Sequence, residues 1–231
     1  MPLPRASVYI DAENFRYGIH SAFGIDANYN VMNLAKAIAN QNNFELTSVH
    51  FYSGIPRQES DPGMYQHWQK RIVAMEKDGV HVYTRSFMYD REPPYKSREK
   101  GIDTRICLDV QEAAYEKKFD VAFILSKDQD LNEIIGKVHK IALQQDRRMD
   151  VICAHVDNGI SYLRGALQFE ITRETYDRCL ETRNFHTPGL FFGRRSLSPE
   201  AGQAESIQPS QFRSPKRRER PIERNSGVVS R

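Results

Sequence analysis

Cysteine is scarce in this 231-residue chain: Cys107, Cys153 and Cys179 are an odd number, widely separated and set among apolar neighbours. Nothing in that spacing matches the paired C-x-x-C of a zinc site or the even framework of a disulfide scaffold, so all three read as buried thiols. Long apolar runs are also missing. No stretch approaches the ~18 residues of a membrane-spanning helix, and the opening Met1-Pro2-Leu3-Pro4-Arg5 lacks the apolar stretch of a secretory signal. A cytoplasmic protein without a membrane partner is therefore expected. There is no glycine-rich loop of the P-loop or dinucleotide type to cradle a phosphate. The seven histidines show no ligand spacing, and the single tryptophan, Trp68, falls with Met64 and Ile72 in a stripe that reads as core.

What is present is an ordinary globular composition, 39% hydrophobic and 27% charged, in a chain long enough for one sizeable core and an appendage. The net charge of +3 is unevenly spread. Residues 184–231 hold nine Lys or Arg against four acids, a net of +5, which leaves −2 for the rest. From about Phe185 onward Pro, Ser, Arg, Gln and Glu dominate with little periodic hydrophobicity, a composition that cannot bury enough apolar surface to offset the entropy of ordering. The expected organisation is a folded domain at 1–184 and a disordered basic tail at 185–231. Within the tail, Lys216-Arg217-Arg218-Glu219-Arg220 reads either as added non-specific affinity for nucleic acid or as a solubilising run.

Inside the domain, short β-branched runs alternate with helical patterns. Strands are predicted at 7–11, 47–52, 80–84, 121–125 and 149–154, with a further short one at 169–172. Helices are predicted at 31–40, 64–77, 104–117 and 131–144. In the third, Ile106, Val110, Ala113 and Ala114 recur at i, i+4, i+7 and i+8 and so share a face. This alternation implies an α/β fold with a mostly parallel sheet covered on both sides, whose ligands gather beyond the carboxyl ends of the strands.

Two strands end in acids. The first runs Val8-Tyr9-Ile10-Asp11, and the fourth leads through Ile124-Leu125-Ser126-Lys127 to Asp128 and Asp130. The first and fourth strands of a doubly wound sheet are commonly neighbours, which would turn Asp11 and Asp128 toward one crevice. Asp103 stands at the start of the helix leading into the fourth strand. Carboxylates brought together repel unless a cation lies between them, and hard ions such as Mg²⁺ or Mn²⁺ take oxygen ligands. Such a site activates water and polarises a phosphoryl oxygen, the chemistry of phosphodiester hydrolysis. Each acid also has a structural reading: Asp103 as a helix cap, Asp130 as a first-turn acid, Asp128 as a turn residue. Asp11 is the hardest to explain that way, because a charge ending a buried strand is costly unless paired or solvated.

Tyr-Ile-Asp-Ala-Glu-Asn-Phe at 9–15, Lys-Gly-Ile-Asp at 100–103 with Asp109 six residues on, and Leu-Ser-Lys-Asp-Gln-Asp-Leu at 125–131 together resemble the NYN domain of the LabA-like group, a branch of the PIN-like nucleases. The motifs occur in the family's order across about residues 6–155. The resemblance implies a Rossmann-like three-layer sandwich and divalent-metal-dependent ribonuclease chemistry. Asp11, Asp103, Asp128 and Asp130 match the acidic positions, with Asp11, Asp103 and Asp128 as metal ligands. Asn14 matches the polar residue supporting the first acid, and Asn14, Ser126, Lys127 and Lys100 are the positions assigned to the substrate. The sequence departs from the pattern at Ala12, where the family usually has Gly, and at Lys127, where Ser-Gly-Asp is usual. A lysine there neutralises part of the cluster or contacts a phosphate.

A further basic segment carries Arg85, Arg91, Lys96, Arg98 and Lys100, interleaved with Tyr89 and Tyr95. It reads as a grip on a phosphate backbone with tyrosines for base stacking, or as a solvated loop diluted by Asp90, Glu92 and Glu99. The functional expectation is an endoribonuclease acting on single-stranded RNA. Two alternatives stand beside it: an RNA-binding or regulatory module with weak or lost catalysis, and a phosphatase using Asp11 as nucleophile, which Glu13 disfavours because that chemistry usually needs Asp two residues on. The oligomeric state is left open, a homo-oligomer included.

Deleting residues 185–231 should leave the melting temperature nearly unchanged while weakening RNA binding mainly at low salt, where released counterions contribute most. A large loss of thermal stability on truncation would show a packed tail.

Overall fold

The computed structural model describes residues 2–89, 97–98, 100–156 and 163–183. Strand β1 (Arg5–Asp11) is buried along six of its seven residues and passes without a linker into helix α1 (Ala12–Phe23), because the Asp11 side chain accepts the Asn14 N–H and caps the helix. Helix α2 (Val31–Gln41) is capped in the same way by Asn30, and α3 (Pro62–Lys77) by Asp61 with proline in its first turn. Between and after them lie β2 (Glu45–Ile55) and β3 (His81–Ser86). A two-residue pair, β4 (Met88–Tyr89) and β5 (Ser97–Arg98), runs antiparallel before α4 (Ile102–Tyr115). The chain closes with β6 (Val121–Leu125), a 3₁₀ turn at Gln129–Leu131, α5 (Asn132–Gln144), β7 (Asp150–His155), β8 (Leu167–Glu170) and α6 (Arg173–Asp177).

The main sheet is parallel throughout, in the order β3-β2-β1-β6-β7-β8. Strand order reverses between β1 and β6, where Ile10 is level with Leu125, and a crevice opens there at the carboxyl edge of a doubly wound sheet. Alternation along β1 feeds two cores. Val8 and Ile10 face one way, with Phe51 and Phe123, onto Leu34, Ile38 and Trp68 of α2 and α3. Tyr9 faces the other, with Tyr52 and Ile124, onto Ile106 and Val110 of α4 and Val138 and Ile141 of α5. The result is the expected three-layer α/β architecture.

The strands and four of the helices fall within a few residues of their predicted places; the fourth helix of the chain, α4, ends earlier than expected because Lys117 takes a left-handed conformation, φ 57°. Helix α1 has no counterpart in the sequence reading. Its fully buried residues are only Phe15 and Ile19, with Ala12 and Phe23 partly buried beside them, a weak stripe hidden behind the strand-ending acid. Cys153 and Cys179 are buried and Cys107 half-buried, all as free thiols. Among the described residues no helix is long and apolar enough to cross a membrane. The expected tail at 185–231 and residues 90–96 and 99 of the basic segment lie outside the described residues.

On the α4 side of the sheet, His50 of β2 is stacked between Tyr9, ring centroids 4.7 Å apart, and His81, 4.9 Å. Its Nε2 lies 3.0 Å from the Ser48 hydroxyl. Burial, and then the neighbouring His81, push the imidazole down to about 4. The unfolded chain, with histidine near 6.5, therefore takes up this proton first, so stability is full above about pH 6.5 and declines as pH falls toward 4. In urea unfolding at pH 7, 5.5 and 4.5, a His50→Phe variant should lose less stability on acidification than the wild type; equal losses would mean that His50 contributes nothing to acid sensitivity.

Candidate active site

At the carboxyl edge, β1 and β6 hand over to loops that are stitched to one another. Asp11 is 4% exposed. One carboxylate oxygen, Oδ1, accepts the Asn14 N–H at 3.1 Å, and the other, Oδ2, accepts the Ser126 hydroxyl at 3.2 Å. The same Ser126 oxygen accepts the N–H of Asp128 at 3.2 Å. Asn14 closes the circuit, its side-chain oxygen accepting the Lys127 N–H at 2.9 Å. From below, the Cys153 thiol donates to the Ser126 carbonyl at 3.3 Å. A buried carboxylate is tolerated only with such donors, and the start of α1 adds the positive end of a helix dipole.

The second group of acids lies across the loop. Asp128 caps the 3₁₀ turn, Oδ1 accepting the Asp130 N–H at 3.0 Å. Asp103 is half-buried in the first turn of α4 and does not cap it; the cap residue is Gly101. Burial, then the charge of Asp128 and more weakly that of Asp130 lift the Asp103 carboxyl above its usual range, against the pull of its own backbone N–H. One turn on, the Cys107 thiol is pushed up to about 11 by burial and then by Asp103, Glu133 and Asp130. These effects mark an acidic patch between α4 and the loop after β6.

Asp128 is thus common to two arrangements: hydrogen bonds through Ser126 tie it to Asp11, and its charge is felt at Asp103. Among the described residues no three His, Cys, Asp or Glu side chains are gathered tightly enough to cage a metal ion. A cage is not what Mg²⁺ requires, since it keeps several waters and is held by one or two carboxylates with substrate phosphate oxygens. The donor set, in which Asp128 and Asp130 raise the proton affinity of Asp103, is chemically suited to a hard cation. Asp109 stands apart: it accepts the Tyr52 hydroxyl at 2.8 Å and pairs with Arg105 at 2.9 Å.

Of the polar positions assigned to the substrate, Asn14, Ser126 and Lys127 belong to the stitched loops through the bonds above. Lys100 lies instead beside an open cleft of about 440 Å³ between β3 and the start of α4. Gly101, at φ 78°, shapes its wall: a Cβ there would come within 2.6 Å of the Arg85 guanidinium. Arg85 is part of the basic segment read from the sequence. Tyr83 and Arg105, which also line the cleft, are not, and the only hint of them is the glycine before a helix start.

Asp11→Asn keeps an oxygen to cap α1 and should unfold within about 1 kcal/mol of wild type, whereas Asp11→Ala strips the cap and leaves the Ser126 hydroxyl unmatched, costing about 1–3 kcal/mol. Urea unfolding compares the two directly, and an alanine variant as stable as the asparagine one would remove the cap from the account.

The NYN domain family model matches residues 5–155. No curated protein matches the sequence significantly. Among solved structures, a protein of unknown function from Vibrio parahaemolyticus is similar at 18% identity and a TM-score of 0.50, over 78% of this chain and 97% of that one, a likeness of fold alone. A deacetylase of teicoplanin biosynthesis in complex with teicoplanin reaches only 10% identity and a TM-score of 0.30, over 64% and 68% of the two chains, too slight to bear on fold or chemistry. The family match runs from the first residue of β1 to the last of β7 and contains the four acids of the carboxyl edge; the chain belongs to the NYN domain family, within the PIN-like nuclease superfamily.

Proposed function

We propose that this NYN domain, of the LabA-like branch, is a divalent-metal-dependent endoribonuclease that hydrolyses phosphodiester bonds of single-stranded RNA. The observation that carries the reading is the double role of Asp128, hydrogen-bonded through Ser126 to Asp11 and electrostatically coupled to Asp103. Asp103 and Asp128, with Asp11 across the serine, are the residues that would hold Mg²⁺ or Mn²⁺. When bound, the ion polarises a phosphoryl oxygen and makes a water easier to deprotonate.

The protein's own part is positional. Asn14 and Ser126 fix the Asp11 carboxylate and the loop backbone, so the acids meet the substrate with little rearrangement. Asp130, exposed beside Asp103, is the carboxylate assigned to take a proton from the attacking water. The Lys127 main chain is pinned by Asn14, and its side chain is the one assigned to a phosphate of the substrate.

The second reading is an RNA-binding module with weak or lost catalysis. It is favoured by Ala12 and Lys127, which stand where the family pattern usually has glycine.

Asp128→Asn retains the oxygen that caps the 3₁₀ turn and should fold normally, yet turnover should fall by a factor on the order of ten to several thousand. Lys127→Gly separates two roles for the lysine: lower cleavage means a phosphate contact, and equal or higher cleavage means a glycine substitute. Labelled single-stranded RNA and DNA with Mg²⁺, Mn²⁺ or EDTA provide the assay. A wild-type protein that cleaves with neither ion while binding RNA equally well in EDTA would replace the nuclease with the binding module.

A further inference from the structure

The cleft beside Lys100 has a chemistry different from that of the acidic edge. Its principal walls are Tyr83 and Arg85 of β3, Met88 of β4, and Lys100, Arg105 and Leu108 at the start of α4, and among the described residues no carboxylate lines it. The Arg85 guanidinium is held in place by two donations, from Nε to the Tyr83 hydroxyl at 2.8 Å and from NH1 to the Lys100 carbonyl at 3.1 Å. Neither Arg85 nor Lys100 has an ion-pair partner among the described residues. The Arg105 guanidinium carbon lies 5.0 Å from the centre of the Tyr83 ring. Met88 and Leu108 leave apolar surface in the open, at 50% and 55% exposure.

A fixed guanidinium and a lysine at the rim, above an aromatic and apolar floor, suit a ligand that carries an anion next to a flat apolar body. A nucleotide is such a ligand, and its base reaches a floor of this kind only when unstacked from a partner strand. The cleft is also joined to the acids by one helical turn. Asp103 and Cys107 lie on the flank of α4 that faces Asp128, Asp130 and Glu133, while Thr104, Arg105 and Leu108 lie on the flank that lines the cleft.

We propose that the cleft binds the nucleotide next to the cleaved phosphodiester of single-stranded RNA, with a phosphate on Arg85 and Lys100 and the base against Tyr83, Met88 and Leu108. This rests on the nuclease reading for the word "cleaved" but not for the binding itself. The cleft sets where along a strand the protein grips, and because its floor is apolar it tolerates any base while favouring those with the larger face.

The test uses the full chain in EDTA, so that binding is read without hydrolysis. Fluorescence anisotropy follows a labelled twelve-nucleotide single-stranded RNA and, in competition, inorganic polyphosphate. Lys100 and Leu108 are both exposed, so Lys100→Glu and Leu108→Ala should keep the wild-type melting temperature. Lys100→Glu should weaken RNA and polyphosphate alike, by about tenfold, and flatten the salt dependence by roughly one ion. Leu108→Ala should weaken RNA and leave polyphosphate unchanged. RNA carrying 4-thiouridine should photo-cross-link to peptides containing residues 83–88 or 100–108. Unchanged RNA affinity in both variants, or cross-links confined to other peptides, overturns the proposal, as does a poly-glutamate peptide that binds as tightly as RNA. A protein that binds RNA through the cleft but cleaves with no divalent ion retains this proposal and loses the nuclease reading. Cleavage by the wild type with RNA affinity unmoved in Lys100→Glu and Leu108→Ala does the reverse.

Discussion

The carboxyl edge of the sheet depends on how the buried Asp11 side chain is hydrogen-bonded. Its two oxygens are divided between two elements, one accepting from the backbone of α1 and the other from Ser126 beyond β6. Because the Ser126 oxygen also accepts the Asp128 N–H, a single hydroxyl sets the spacing between the first acid and the loop that carries the next two. Asn14 repeats the connection from the helix side through Lys127. The site is thus held by main-chain and side-chain hydrogen bonds in a protected place.

Charge is distributed to the same end. The first 183 residues carry a net of −2, which by itself is a poor match for a polyanion. The structure resolves this locally: the acids crowd on one flank of the α4 N-terminus, and Arg85, Lys100 and Arg105 gather on the other. Long-range net charge matters less than these neighbouring fields, which are only a helix turn apart and fall within a Debye length of about 8 Å at physiological salt.

Much of this was legible in the sequence because it is written in local patterns. Apolar runs ending in Asp11 and in Ser126-Lys127-Asp128 announce strands with acids at their ends, and i, i+4 apolar spacing announces α4 and α5. The parallel order and the meeting of β1 with β6 follow from the alternation of strands and helices. Helix α1 was hidden because two buried residues make a faint stripe and its cap, Asp11, is also the last residue of a strand. The cleft was hidden for another reason. Tyr83 and Arg105 are 22 positions apart, and only the Gly101 turn brings them face to face, with Arg85 reaching under the helix start. No local period encodes a juxtaposition of that kind.

The direct passage from β1 into α1 leaves the chain no slack at Asp11. An inserted residue there would shift the helix phase by about 100° and rotate Phe15 and Ile19 out of the core, so the position is closed to changes of length. The stretch between Ser86 and Ile102 is different, since it joins the last residue of an edge strand to a helix start and, among the described residues, makes only a two-residue pair on the way. Lengthening or shortening it leaves the six-stranded sheet untouched. One side of the acid patch is therefore built for invariance and the other for variation, and a designer wishing to retarget this domain to a different strand would lengthen, shorten or replace the second while leaving the first alone.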